Sequence, residues 1–115
     1  MAIPKLKSLP EKGSNVPPNV PNIFSAAENN DVKALNLALE FYDVNQQDTI
    51  GMTPLHYAAS TLSQHTIDRL LAHTDIDATI TDQFGRSAAT LAYECWNILA
   101  DGVVNKLNPY CYPWL

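Results

Sequence analysis

The sequence of 115 residues predicts one all-α domain, a stack of about three helix-turn-helix units with short β-hairpin loops. Three observations predict this fold class. From Ile23 onward, apolar residues recur at the spacing of amphipathic helices. Residues 43–51 align with residues 77–85 without a gap, and a repeat of this period indicates stacked supersecondary units. Pro54 is the one proline within residues 22–108, so little else interrupts the helices there.

Residues 1–21 are predicted to form a flexible, extended arm outside the stack. Five of the eight prolines lie in this segment, and proline lacks an amide donor and fixes its own φ. Residues 18–21 have the spacing of a PxxP ligand, but no arginine flanks them closely. A flexible leader is therefore the favoured interpretation.

The predicted repeat domain, residues 22–108, divides into units of about 22–47, 48–81 and 82–108. One helix in each unit has a recognisable apolar face. The three faces consist of Val32, Leu35 and Leu39; of Ile67, Leu70 and Leu71; and of Trp96, Leu99, Val103 and Leu107. Each helix is expected to be short and amphipathic.

The two aligned segments, rich in turn-forming and β-branched residues, are the predicted hairpins. Asp48 aligns with Asp82, and Gly51 aligns with Gly85. Glycine is expected at these positions because a tight hairpin needs a positive φ.

The middle unit contains the most informative motif, GMTPLHYAA at residues 51–59. Thr53 can cap the following helix with its hydroxyl, and Pro54 at the first helical position loses no hydrogen bond. This motif resembles the G-x-T-P-L-H-x-A-A signature of the ankyrin repeat. The resemblance implies an ankyrin-repeat solenoid.

The outer units depart from this signature. The first lacks the hairpin and the TPLH motif, as an N-terminal capping repeat does. In the third, SAAT at residues 87–90 replaces TPLH, as in a terminal repeat, and Ser87 can still cap its helix. Neither of the first two units has the usual glycine after its second helix, so distorted turns are expected there.

The resemblance implies a non-catalytic module that binds a partner protein. In ankyrin stacks the partner meets the hairpin tips and the concave face of the first helices. Carried onto this sequence, the partner-binding positions are Thr49, Ile50, Met52, Tyr57, Ser60, Gln83, Phe84 and Arg86. Ile50 and Phe84 occupy the same tip position one unit apart. Two interpretations remain open for them: an interface, or packing of adjacent hairpins against each other.

The formal charge of −5 is unevenly placed: residues 1–21 carry +2, which leaves −7 for residues 22–115. This balance argues against a nucleic-acid partner, because affinity for phosphates comes largely from clustered lysine and arginine. It permits a basic partner. The alternative function is therefore a small acidic inhibitor or antitoxin-like protein that covers a basic site on its target.

No catalytic residue, metal site or cofactor is predicted. His56 is expected to bond backbone groups near the hairpin, and Cys95 to be a small core residue. His65 and His73 are expected on the surface. An enzyme that uses Cys95 and His56 is a third, disfavoured hypothesis, since no phosphate-binding loop or hydrolase motif occurs.

The aromatic tail, residues 109–115, holds three of the ten aromatic residues. Because exposing so much apolar surface is unfavourable, the tail is predicted to dock on the outer face of the last unit. Docking into a second protomer, which would make a homodimer, or into a partner protein is the alternative. No stretch is long and apolar enough for a membrane span, and the first ten residues do not read as a signal peptide, so a cytoplasmic protein without membrane contact is expected.

Overall fold

The computed structural model describes residues 19–111, which contain six α-helices, one 3₁₀ helix and no β-strand. The α-helices are α1 (Ile23–Glu28), α2 (Val32–Leu39), α3 (Pro54–Ser60), α4 (Gln64–Leu71), α5 (Ala88–Trp96) and α6 (Asp101–Cys111), and the 3₁₀ helix is Asn97–Ala100. No helix in this range is long and apolar enough to cross a membrane. Most of the predicted arm and the last four residues of the predicted tail lie outside the described residues.

The helices form two rows. α1, α3 and α5 pack side by side in one row, α2 packs against α4 in the other, and the two helices of each unit pack together. Small side chains let the helices of the first row pack closely. The buried alanines of this row are Ala26, Ala27, Ala58, Ala59, Ala88, Ala89 and Ala92. The all-α stack of three units is confirmed, and its hairpins are turns without strands.

The apolar faces of α2 and α4 point into the core as predicted. Leu35, Ile67 and Leu70 are fully buried. Leu39 and Leu71 are partly buried and pack against the same core. Burial of these side chains supplies the main stabilisation of helices that are too short to be stable alone.

The apolar face predicted for the third unit is wrong in its first half. Val103 and Leu107 are buried, but Trp96 is 40% exposed and Leu99 is 72% exposed. Asn97, with a φ of 51°, ends α5, and the chain continues as a 3₁₀ helix before α6. Because a 3₁₀ helix has a different number of residues per turn, residues on either side of the break do not share a face.

The first helices of the second and third units begin as predicted. Thr53 Oγ1 accepts a hydrogen bond from the backbone N–H of His56 at 3.3 Å, with Pro54 in the first turn. Ser87 Oγ accepts from the backbone N–H of Thr90 at 3.2 Å. Both hydroxyls satisfy an amide that the helix itself leaves without a partner.

One non-glycine residue with positive φ lies between the two helices of each unit. Asn30, Leu62 and Asn97 have φ values of 59°, 53° and 51°. The turns after the second helices, where the sequence predicts distortion, begin in the ordinary right-handed conformation at Glu40 and Ala72. Asparagine tolerates positive φ better than leucine, so Leu62 suits its position less well than Asn30 does.

α6 continues to Cys111 and contains Pro109 in its last turn. The predicted boundary at residue 108 therefore lies within a helix. Because proline has no backbone N–H, Pro109 cannot donate to the carbonyl four residues earlier, and the last turn of α6 loses one hydrogen bond.

Candidate functional site

The hairpin of the second unit is a tight turn closed by one carboxylate. Asp48 Oδ1 accepts hydrogen bonds from the backbone N–H groups of Ile50 at 3.1 Å and Met52 at 2.9 Å. Gly51 has a φ of 85°, and its N–H donates to the Asp48 carbonyl at 3.0 Å. The side chain and the turn backbone together fix the conformation of this tip.

The hairpin of the third unit repeats this arrangement one period later. Asp82 Oδ1 accepts from the backbone N–H groups of Phe84 at 2.9 Å and Arg86 at 3.0 Å. Gly85 has a φ of 79°, and its N–H donates to the Asp82 carbonyl at 2.9 Å. The prediction that both glycines supply positive φ is confirmed.

The second oxygen of each carboxylate has a different partner. The Tyr57 hydroxyl donates to Asp48 Oδ2. Arg86 donates to Asp82 Oδ2 from Nε at 2.9 Å and from Nη2 at 2.8 Å. Both pairs tie the turn to residues beyond it, so each tip is held on two sides.

These contacts shift the pKa values of Tyr57, Asp82 and Arg86. Burial raises the pKa of Tyr57 above its usual value, and the hydrogen bond to Asp48 raises it further. Burial alone would raise the pKa of Asp82, but hydrogen bonds from Arg86 and Phe84 outweigh it and hold this pKa below its usual value. The Asp82 carboxylate raises the pKa of Arg86 in turn.

The two tips are joined directly. The backbone N–H of Gln83 donates to the Ile50 carbonyl at 2.9 Å. A Cβ placed on Gly51 would lie 3.0 Å from the Gln83 nitrogen, and this tight contact together with the φ of 85° favours glycine here. The hairpins therefore stack as one rigid edge of the repeat domain.

His56 connects the second unit to the third. Its Nδ1 accepts from the backbone N–H of Thr53 at 3.2 Å, which leaves the proton on Nε2 to donate to the Arg86 carbonyl at 2.8 Å. Burial lowers the pKa of His56, although the Arg86 carbonyl acts in the opposite direction. The structural role predicted for His56 is confirmed.

A family model described as ankyrin repeats, in three copies, matches residues 23–107. This chain belongs to the ankyrin-repeat family. Ankyrin repeats are generally protein–protein interaction modules and are typically non-catalytic. No curated protein matches the chain.

The ankyrin hairpins expose only part of the predicted binding set. Thr49 and Gln83 are exposed, and Phe84 is 67% exposed. Ile50 is half-buried, and the Arg86 side chain is 25% exposed. Of the two interpretations of the apolar tips, packing of adjacent hairpins therefore fits Ile50 better, while Phe84 extends into solvent.

The predicted binding set is wrong at Met52, which is only 7% exposed. Its N–H donates to the Asp48 side chain, and its carbonyl accepts from the Asp48 N–H at 3.0 Å. These bonds place Met52 at the base of the hairpin, where the chain enters the stack. Met52 is therefore not available to a partner.

Tyr57 and Ser60 are half-buried and already have partners within the fold. The Tyr57 ring lies 5.4 Å from the Phe24 ring, centroid to centroid. The Ser60 hydroxyl donates to the Tyr57 carbonyl at 2.9 Å, and the Ser60 carbonyl accepts from Trp96 Nε1 at 2.6 Å. Both hydroxyls therefore bond within the second unit, whereas the Tyr57 ring and the Ser60 carbonyl contact the neighbouring units.

Sequence reasoning missed Phe24 and Trp96 as neighbours of the predicted surface. Phe24 precedes Tyr57 by almost one full repeat, so the period itself could have identified it. The contact of Trp96 with Ser60 depends on the end of α5 at Asn97. No motif in the sequence indicates that break.

Cys95 is exposed, which contradicts its prediction as a core residue. It lies in the last turn of α5, where residues 93–96 are all exposed, so this turn extends past the packed core. Both ring nitrogens of His56 are engaged, so His56 is not free to act as a base. Within residues 19–111, no group of three or more His, Cys, Asp or Glu side chains could hold a metal ion.

Proposed function

We propose that this ankyrin-repeat chain is a non-catalytic module that binds a partner protein through its hairpin edge. The tip surface consists of Thr49, Ile50, Gln83, Phe84 and Arg86. The observation that carries the proposal is the exposure of Phe84 on a turn that is otherwise fully constrained. Aromatic residues and arginine are enriched at protein interfaces, and Phe84 lies beside Arg86 on this constrained turn.

The hydrogen bonds beneath the tips support this mechanism. Because Asp48 and Asp82 fix both turns, and the Gln83–Ile50 bond joins them, a partner would meet a surface that is already in its bound shape. Binding to a pre-organised surface loses less conformational entropy than binding to a flexible loop.

Phe84 is also supported from one side. The Arg86 guanidinium carbon lies 5.1 Å from the centroid of the Phe84 ring. The same guanidinium pairs with Glu94 at 3.2 Å, which holds it in place. The other face of the ring remains available for an apolar pocket on the partner.

The partner is proposed to be a protein rather than a nucleic acid. Residues 22–115 carry a formal charge of −7. Arg86 and Lys106 are both paired with carboxylates, so they offer little free positive charge to phosphates.

Site-specific photo-crosslinking tests this proposal. A photoreactive phenylalanine analogue is placed at position 84, and the same analogue at Leu37, an exposed residue of α2 in the opposite row, is the matched control. The expected result is a discrete crosslinked protein from position 84 that unlabelled protein competes away and that position 37 does not give. Equal crosslinking from both positions would contradict the proposal.

A further inference from the structure

The outer face of the third unit is a second surface, separate from the tips. α5 and α6 enclose a pocket of about 260 Å³, lined by Ala89, Thr90, Tyr93 and Val104. Its lining is almost entirely apolar, and Tyr93 is 55% exposed beside it. The pocket has room for an aromatic side chain, and it is smaller than the cavities that bind drug-sized ligands.

The repeat explains why this face is open. Ala89, Thr90 and Tyr93 each have an equivalent residue one period earlier, in the second unit. These equivalents are Leu55, His56 and Ala59, and all three are buried. In that unit the following unit packs over this face: α5 packs against α3, and His56 bonds Arg86 in the next hairpin. In the third unit Ala89 is still buried, but Thr90 is half-buried and Tyr93 is 55% exposed, so the described residues cover this face only in part.

The chain itself provides a suitable occupant directly after α6. Residues 112–115, YPWL, contain three apolar or aromatic side chains besides proline. Val104, the pocket residue on α6, is seven residues before Cys111, or about 10 Å along the helix. Trp114 follows Cys111 by three residues, and three extended residues span about 10 Å, which is enough to return to the pocket.

Proline at position 113 favours such a return. A residue that precedes proline is disfavoured in the helical conformation, so Tyr112 is disposed to leave the helical path after Cys111. The pocket wall formed by Val104 belongs to the same helix from which the segment emerges. The connection is therefore short, and little entropy is lost in closing it.

We propose that residues 112–115 fold back onto the third unit and place Trp114 in the pocket between α5 and α6. The segment thereby caps the stack where a fourth unit would otherwise lie. It covers the apolar surface of Tyr93 and Val104 within one chain, without a second protomer.

Tryptophan fluorescence of the full chain tests this docking. The chain has two tryptophans, so Trp96→Phe leaves Trp114 as the only reporter. The expected emission is blue-shifted from that of free tryptophan amide and weakly quenched by acrylamide. Adding Tyr93→Lys should move both properties to the free values, because a charge at the pocket rim disfavours an apolar occupant.

Two controls make the experiment specific. Ile98→Lys introduces the same charge on an exposed apolar residue outside the pocket lining and should leave the Trp114 signal unchanged. Circular dichroism reports whether each variant is folded. Deleting residues 112–115 should lower Tm by at least about 4–8 °C, because a small domain would lose the burial of a large apolar side chain.

Three outcomes would overturn the proposal. Emission and quenching of Trp114 equal to free tryptophan amide would show that the segment does not dock. A blue shift that appears only as protein concentration and the mass from light scattering rise together would place the segment in a second copy. Insensitivity to Tyr93→Lys in a folded variant would place Trp114 elsewhere on the same chain.

Discussion

The imidazole of His56 lies 2.8 Å, Nε2 to oxygen, from the backbone carbonyl of Arg86, a residue 30 positions further along the chain. The same ring closes the cap of α3 through Thr53. One buried side chain therefore joins the start of a helix in the second unit to the hairpin of the third.

We expect His56→Ala to lower the free energy of unfolding by about 2–4 kcal/mol, since it leaves a cavity and removes the partner of a carbonyl. Urea unfolding at pH 7.5 measures this loss. His65→Ala, at an exposed position of α4, is the control and should change stability by less than about 0.5 kcal/mol. Similar losses in both variants would contradict the role given to His56.

Stability should also depend on pH through His56. Burial holds its folded pKa below the unfolded value of 6.5, so the unfolded state binds more protons as pH falls below that value. The contribution of neutral His56 to the free energy of unfolding is therefore fully present above about pH 7 and decreases as the pH falls toward 5. We expect His56→Gln to remove most of this slope in unfolding measured across that range. A slope that persists unchanged in the variant would assign it to other groups.

Gly51 and Gly85 form a matched pair that separates backbone strain from crowding. Both have positive φ, but a Cβ on Gly51 would press on the third-unit hairpin, whereas a Cβ on Gly85 meets open space. We expect Gly85→Ala to lower stability by about 1 kcal/mol and Gly51→Ala by about 2 kcal/mol or more. Equal losses in denaturant unfolding would mean that the two tips are not closely stacked.

The two turn carboxylates should respond differently to loss of charge. Asp82 pairs with the Arg86 guanidinium, whereas Asp48 pairs with the Tyr57 hydroxyl, which can also bond an amide. We expect Asp82→Asn to lower the free energy of unfolding by about 2 kcal/mol and Asp48→Asn by about 1 kcal/mol. The reverse order, measured at pH 7.5, would contradict the assignment of partners.

The repeat period and the local chemistry of single residues made much of this fold predictable from sequence. The gapless alignment of the two turn-rich segments located both hairpins, and glycine identified their positive φ. Thr53 and Ser87 were recognisable as caps because a hydroxyl before a helix has few other roles. These features depend on interactions within a few residues of each other.

What the sequence did not reveal depends on precise geometry. Met52 lies only one residue after Gly51, yet the hydrogen bonds to Asp48 place it inside the stack. The end of α5 at Asn97 interrupts a helical pattern that continues in the sequence, so Leu99 was assigned to the wrong face. The helical spacing of apolar residues gives no sign of a single residue with positive φ.

The most direct test of the proposed function is the affinity of the crosslinked partner for the double variant Ile50→Ala, Phe84→Ala, measured by isothermal titration calorimetry beside the Leu37→Ala control. We expect the double variant to weaken binding by about 30-fold or more, as for loss of an interface hot spot, with the control unchanged. Binding of the folded double variant at the affinity of the unmodified protein would contradict recognition through the tip surface.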